Sequence, residues 1–260
     1  MQLDIGMVFS SLIGLFLLMG VGWVSVKTKI VPPAASAPMS SLLLKVTLPC
    51  TIFSSLATRE FDSAFLVDGV IIIVIGLVLF PLYAALSWGI SKVLKVPAGR
   101  RGIWSFGATF CNNGFMGFPV ALALFGEEGL ALAVMFGVPF NLLVYTLGVR
   151  MVCADCGTDA QPVNLVRTLL SNINIALILS LIFYVGQIPL PEALMTPVTH
   201  LSNVTTPLSM FVTGMALASG KGAELFRDKD AYTATGMRLM VVPLLTWAVM
   251  CLLPLSNPLI

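Results

Sequence analysis

In CNNGFMGFPV, residues 111–120, two neighbouring amides, two glycines and a proline interrupt an otherwise apolar stretch. A carboxamide brings one acceptor and two donors without a fixed charge. Glycine lets a second backbone or a ligand come close. Proline removes a backbone donor and clashes with the carbonyl four residues back. In hydrocarbon, freed peptide groups must be met by protein or by a watered cavity. A helix broken there offers the positive end of a half-helix to anions and open carbonyls to cations. Asn112, Asn113, Gly114, Gly117 and Pro119 are therefore candidates to hold a small polar or anionic solute. NNG is also a turn signal, and GFMGF could pack helices through small residues. However, acidic GEEG at 126–129 makes the better turn and Arg100 and Arg101 mark the other end, with NNG midway, which predicts a break inside the span.

Other polar side chains fall in apolar runs. Asn141 and Tyr145 lie one helical turn apart after Pro139 and could line the same cavity or hydrogen-bond between helices. Arg238 sits a few residues inside a run, where a central arginine costs about 2.5–3.5 kcal/mol. It either snorkels to the nearer surface or balances a bound anion. Thr47 and Thr205 stand two residues before Pro49 and Pro207, and with open carbonyls they could ligate Na+. Asp68 is placed at an interface, so no proton-coupling carboxylate is visible in mid-span. Na+ or H+ is thus the expected coupling ion.

Little points to an enzyme. His200 is the single histidine, no paired carboxylates face it within the runs, and no phosphate-binding glycine loop appears. Cys153 and Cys156 form CADC, a metal or redox spacing that lacks further ligands and reads as free thiols. No cofactor and no metal are expected.

The elements that must position these residues follow from composition. Of 260 residues, 58% are hydrophobic and 10% charged, against roughly 25% charged in a soluble domain. Apolar runs near 5–25, 39–58, 65–91, 102–125, 128–150, 165–186, 196–219 and 233–255 approach the ~20 residues a spanning helix needs. Period-two alternation is absent, which argues against a β-barrel. The fold class is all-α and polytopic, with about eight transmembrane helices and a lipid bilayer as partner. The net charge of +2 is too small to imply nucleic acid.

Basic residues set the sides. Connections after runs one, three, five and seven hold Lys27, Lys29, Lys92, Lys95, Arg100, Arg101, Arg150, Arg167, Lys221, Arg227 and Lys229, while the opposite side holds Arg59. By the positive-inside rule the N-terminus is outside, in a multi-pass plasma-membrane protein of the bacterial inner-membrane kind.

KVTLPCTIF at 45–53 and NVTTPLSMF at 203–211 share Val, Thr, Pro and Phe at an offset of 158 residues, and KIVPPA and QIPLPE repeat a proline turn at the same offset. Five spans separate the copies, so their topologies are opposite, the pattern of secondary transporters. Residues 1–150 would form a five-helix repeat, 151–164 a cytoplasmic linker and 165–260 an incomplete three-helix repeat. The partner of Asn112 would be residue 270, past Ile260, so the second broken helix is expected to be missing.

The pattern N-x-G-F-x-G-F-P at 112–119 resembles the crossover-helix motif of the auxin efflux carrier family, which includes bacterial malonate and malate permeases. KVTLP at 45–49, VPFNLLVYTLG at 138–148 and RLMVVPL at 238–244 resemble it in the same order. The resemblance implies ten spans in two inverted repeats, with broken helices four and nine crossing at the substrate. It makes Asn112, with Gly114 and Pro119, the substrate-contacting crossover, and puts Asn113 at the variable position. The function so implied is secondary active transport of a small organic anion such as a dicarboxylate, with a homodimer as a further candidate assembly. The alternative is a truncated or non-transporting membrane module: a solute sensor, scaffold or inactive remnant.

The orientation is open to test. Cys153 and Cys156 should remain unlabelled when an impermeant maleimide is added to intact cells and react after permeabilisation, as read by mass spectrometry of their peptide. Labelling in intact cells would reverse the topology.

Overall fold

The computed structural model describes residues 5–156, 171–220 and 228–252. Arg167, Lys221, Arg227 and the linker beyond Cys156 lie outside the described residues. In chain order the α-helices are α1 (Ile5–Lys27), α2 (Ser36–Leu42), α3 (Leu48–Ala57), α4 (Ser63–Val93), α5 (Arg101–Thr109), α6 (Phe118–Leu143), α7 (Val149–Cys156), α8 (Asn172–Gly186), α9 (Glu192–Ser219), α10 (Lys229–Gly236) and α11 (Val242–Leu252). No strand occurs among the described residues. Among the described residues five stretches are long and apolar enough to cross a bilayer: Phe9–Lys27, Pro33–Ala57, Ser63–Val93, Ala98–Asp155 and Lys229–Cys251. The chain is an all-α polytopic membrane protein.

The expected turn at GEEG is present: α6 is two helices that meet at a kink at Gly126, whose φ 65° and ψ −159° are not helical and whose positive φ is open to glycine without steric cost. The stretch 151–156, expected to begin a linker, is still helical as part of α7.

Wide π turns join several helices: Leu43–Thr47, Asn113–Gly117, Val144–Gly148 and Met237–Val241. Three of them end two residues before a proline: Pro49, Pro119 and Pro243. An α-helical turn would drive the proline ring into the carbonyl four residues back. Widening the turn to i→i+5 bonding moves that carbonyl aside. KVTLP, NGFMGFP and RLMVVP are thus one backbone device used three times. The carbonyl that Pro49 cannot serve, that of Lys45, accepts from Asn172 Nδ2 at 3.2 Å.

The chain forms two compact units. One comprises residues 1–64, 112–134 and 170–222. Within it, α1 and α9 meet backbone to backbone. A Cβ on Gly22 would lie 2.1 Å from the Phe211 carbonyl oxygen, and one on Gly214 would lie 1.9 Å from that of Met19. Small residues at such crossings let van der Waals packing hold helices that lipid does not drive together. Between α3 and α9, Thr51 Oγ1 donates to Thr205 Oγ1 at 2.7 Å and Ser54 Oγ to Ser202 Oγ at 3.1 Å. Buried Tyr184 of α8 closes the unit by accepting from Asp62 N–H and donating to Asp62 C=O, both at 2.9 Å.

The second unit comprises residues 65–111, 135–169 and 223–260. Its core gathers Leu79, Phe80, Tyr83, Phe110 and Met151. The Phe80 ring lies 5.7 Å from Phe110, 5.3 Å from Phe136 and 5.7 Å from Phe140, at separations where aromatic pairs add to simple burial. On α4, Gly69 and Gly76 leave room for Met135 and Pro139 of α6.

The close helix crossing makes a prediction. Gly22→Ala and Gly214→Ala should each lower the melting temperature in detergent, at a cost of about 1–3 kcal/mol of overpacking. Gly20→Ala, whose Cβ would meet nothing within 4 Å, should leave it unchanged or raise it.

Candidate functional site

The interruption in the fourth apolar run is real, and it sits slightly earlier than its glycines and proline suggest. α5 ends at Thr109, and Phe110 is extended at φ −100° and ψ 135°. Asn112 stands at φ −78° and ψ 69°. Gly114 and Gly117 belong to the π turn that restarts the helix, and Pro119 is the second residue of α6. The widened turn before it accommodates the proline ring, because i→i+5 bonding shifts the carbonyl it would otherwise meet.

The half-helix before the break belongs to the second unit, and charged side chains serve both its ends. At its start, the Asp155 carboxylate accepts from Gly102 N–H at 2.7 Å and Ile103 N–H at 2.8 Å. The close approach of α7 requires Gly102, whose Cβ would lie 1.9 Å from the Met151 carbonyl oxygen. At its end, Phe110 N–H closes the last turn on Phe106 C=O at 2.8 Å. The next carbonyl, Gly107, has lost its helical donor and accepts from Arg238 Nη1 at 3.0 Å, while Phe110 C=O accepts from the same nitrogen at 2.9 Å. Arg238 therefore reaches sideways into the break, as neither snorkelling nor anion balance alone required. An anion at a helix start and a cation at its end both match the macrodipole.

Further charges fix this half-helix at its start. Arg100 pairs with Asp228 and, at 3.0 Å, with Asp230, and its hydrogen bond holds the Asp228 carboxyl below its usual range. Trp104 Nε1 donates to Thr233 Oγ1 at 3.1 Å.

The half-helix after the break belongs to the first unit. Asn112 caps it: its Oδ1 accepts from Phe115 N–H at 3.2 Å, and its carbonyl accepts from Met116 and Gly117 N–H, each at 3.2 Å. Asn112 Nδ2 and the Asn113 carboxamide make no hydrogen bond among the described residues. Asn113 is buried and folds over Gly117, where a Cβ would meet its Oδ1 at 2.8 Å. Gly114 is less constrained, since a Cβ would only touch Leu48 at 3.4 Å.

The remaining candidates are placed as follows. Tyr145 lines an open apolar groove of about 270 Å³ with Phe106, Gly148, Val152 and Cys153, all in the second unit. Asn141 is half-buried outside that lining. Thr205, 2% exposed, is engaged by Thr51, and Thr47, 1% exposed, turns back to Leu43 C=O at 3.5 Å. These hydroxyls sit in a packed, hydrogen-bonded crossing. Pro49 and Pro207 lie on α3 and α9 of the same crossing. Sequence reasoning missed Asp155 and Asn172, whose partners are distant backbone groups that no local pattern announces. Among the described residues no cluster of three or more His, Cys, Asp or Glu could hold a metal.

Residues 7–156 and 161–260 match the family described as membrane transport protein. An uncharacterized transporter of Methanothermobacter thermautotrophicus is 25% identical over 81% of this chain and 67% of its own length. An uncharacterized transporter of Methanocaldococcus jannaschii is 27% identical over 69% of this chain, which spans 59% of that relative. The protein ECM3 of Saccharomyces cerevisiae is 28% identical over 53% of this chain and 24% of its own length.

Removing the carboxylate at the start of α5 tests its role. Asp155→Ala should lower stability by about 1 kcal/mol, the usual cost of a lost helix cap, while Asp155→Asn should retain part of it. Equal melting temperatures for the Ala variant and the parent would show that the cap contributes nothing.

Proposed function

The chain belongs to the membrane transport protein family, the auxin efflux carrier family that its motifs resemble, and from that premise we propose that it is a secondary active carrier of a small organic anion such as a dicarboxylate. The observation that carries this is the state of the break. Two of its carbonyls, those of Gly107 and Phe110, are met by Arg238, whereas on the other side the Asn112 amide and the carboxamide of Asn113 keep donors to spare. Among the described residues the N–H groups of Asn113 and Gly114 also make no hydrogen bond. Such donors at the head of a half-helix suit a carboxylate, and in hydrocarbon they must be met by something.

In this reading Asn112 has two tasks. Its oxygen holds the backbone of the second half-helix, and its NH2 group faces the solute. Gly117 makes room for Asn113, and Pro119 keeps the helix start in place. Asn141 and Tyr145 belong to the second unit and stay in the proposal as cavity residues. The carrier works in a plasma membrane of the bacterial inner-membrane kind with its N-terminus outside, by alternating access. Na+ or H+ drives it, with no residue assigned to either ion. A homodimer is part of the same proposal.

Asn112→Asp separates the two tasks. Aspartate caps a helix as well as asparagine, so the melting temperature without ligand should be kept. Its charge would repel a carboxylate, so the rise in melting temperature given by malonate, malate or an aromatic acid, which follows from mass action, should vanish. A full ligand-dependent rise in Asn112→Asp would overturn the assignment of Asn112.

A further inference from the structure

We propose that Arg238 is the fixed positive charge of the substrate site, with its Nε–Nη2 edge holding a carboxylate of the transported anion while Nη1 holds the broken helix. This rests on the reading of the chain as an organic-anion carrier. Four observations lead to it. Arg238 lies in the π turn before α11, within Lys229–Cys251, a stretch apolar and long enough to span. None of the ion pairs among the described residues involves it. Its two hydrogen bonds both leave from Nη1 and go to neutral carbonyls, Gly107 and Phe110. Among the described residues no oxygen accepts from Nε or Nη2, and the Cys111 thiol is the other group beside the guanidinium.

A guanidinium has five N–H donors in a planar fork, and Nη1 accounts for two. The three left over lie along the Nε–Nη2 edge, the geometry that takes a carboxylate bidentately. The carbonyls at the end of α5 offset only about half an elementary charge. A charge kept within a span without a counter-ion is costly and marks a functional position. A snorkelling arginine would instead extend along its own helix towards the head groups. Its sideways bonds to Gly107 and Phe110 hold the guanidinium at the break itself, next to Cys111. The missing counter-ion is therefore an anion that comes and goes, and the fork selects carboxylates over neutral amides of the same size.

The test uses purified full chain, with malonate as probe and malonamide as its uncharged control. Malonate should raise the melting temperature of the parent protein and malonamide should not. In Arg238→Gln the apparent affinity for malonate should fall at least tenfold, and Arg238→Lys, which keeps the charge without the fork, should fall between. A second measurement needs no variant, which matters if Arg238→Gln does not fold: malonate, and not malonamide, should slow alkylation of Cys111 by N-ethylmaleimide. Parent-like malonate affinity in Arg238→Gln, or an unchanged Cys111 alkylation rate while malonate still raises the melting temperature, would overturn the role of Arg238 and leave the carrier reading standing. A parent protein that responds to no carboxylate would overturn both.

Discussion

A carbonyl or amide released from a helix in apolar surroundings has to find another partner, because no solvent is there to supply one. That constraint shapes the second unit around α5. The nine-residue half-helix is too short to be stable by its own hydrogen bonds, yet it is fixed at both ends. Asp155 meets the amides at its start and Arg238 the carbonyls at its end. Around these two contacts other choices fall into place. Gly102 lets α7 approach, the π turn at Met237–Val241 carries the guanidinium, and the Phe80 cluster packs the flank that Phe110 closes.

The first unit meets the same constraint with neutral groups. Hydroxyls of α3 and α9 bond to one another, Asn172 serves the carbonyl beside Pro49, and Asn112 caps its own half-helix. Individual bonds of this kind contribute about 0.6 kcal/mol in membrane helices, so the glycine crossing of α1 on α9 matters as much as any of them. The first unit takes residues 1–64 together with 170–222, and the second 65–111 together with 223–260. Each unit thus draws on both ends of the chain.

Much of this was legible in the amino acids. The membrane class followed from composition, the turn at Gly126 from GEEG, and the interrupted fourth run from amides where apolar residues should continue. What escaped was set by long-range geometry. Pro119 and its glycines looked like the interruption itself because proline is a helix breaker. In the fold they restart the helix, since the widened turn at Asn113–Gly117 makes room for the proline ring. Arg238 was ambiguous because its alternatives differ only in which way a long side chain turns, and the decisive acceptors lie more than a hundred positions away. Thr47 and Thr205 were marked by the prolines beside them, but the hydroxyl that Thr205 meets belongs to Thr51, one turn further along.

The widened turns have an effect of their own. Each fits an additional residue into nearly the same rise, and one residue turns an α-helix by about 100°. Side chains upstream and downstream of the turns before Pro49 and Pro243, where helix runs on both sides, are therefore out of phase with a single helical wheel. Amphipathic plots drawn straight through these two spans would smear any apolar stripe, and a single-residue deletion in either turn would restore regular α-helical phase.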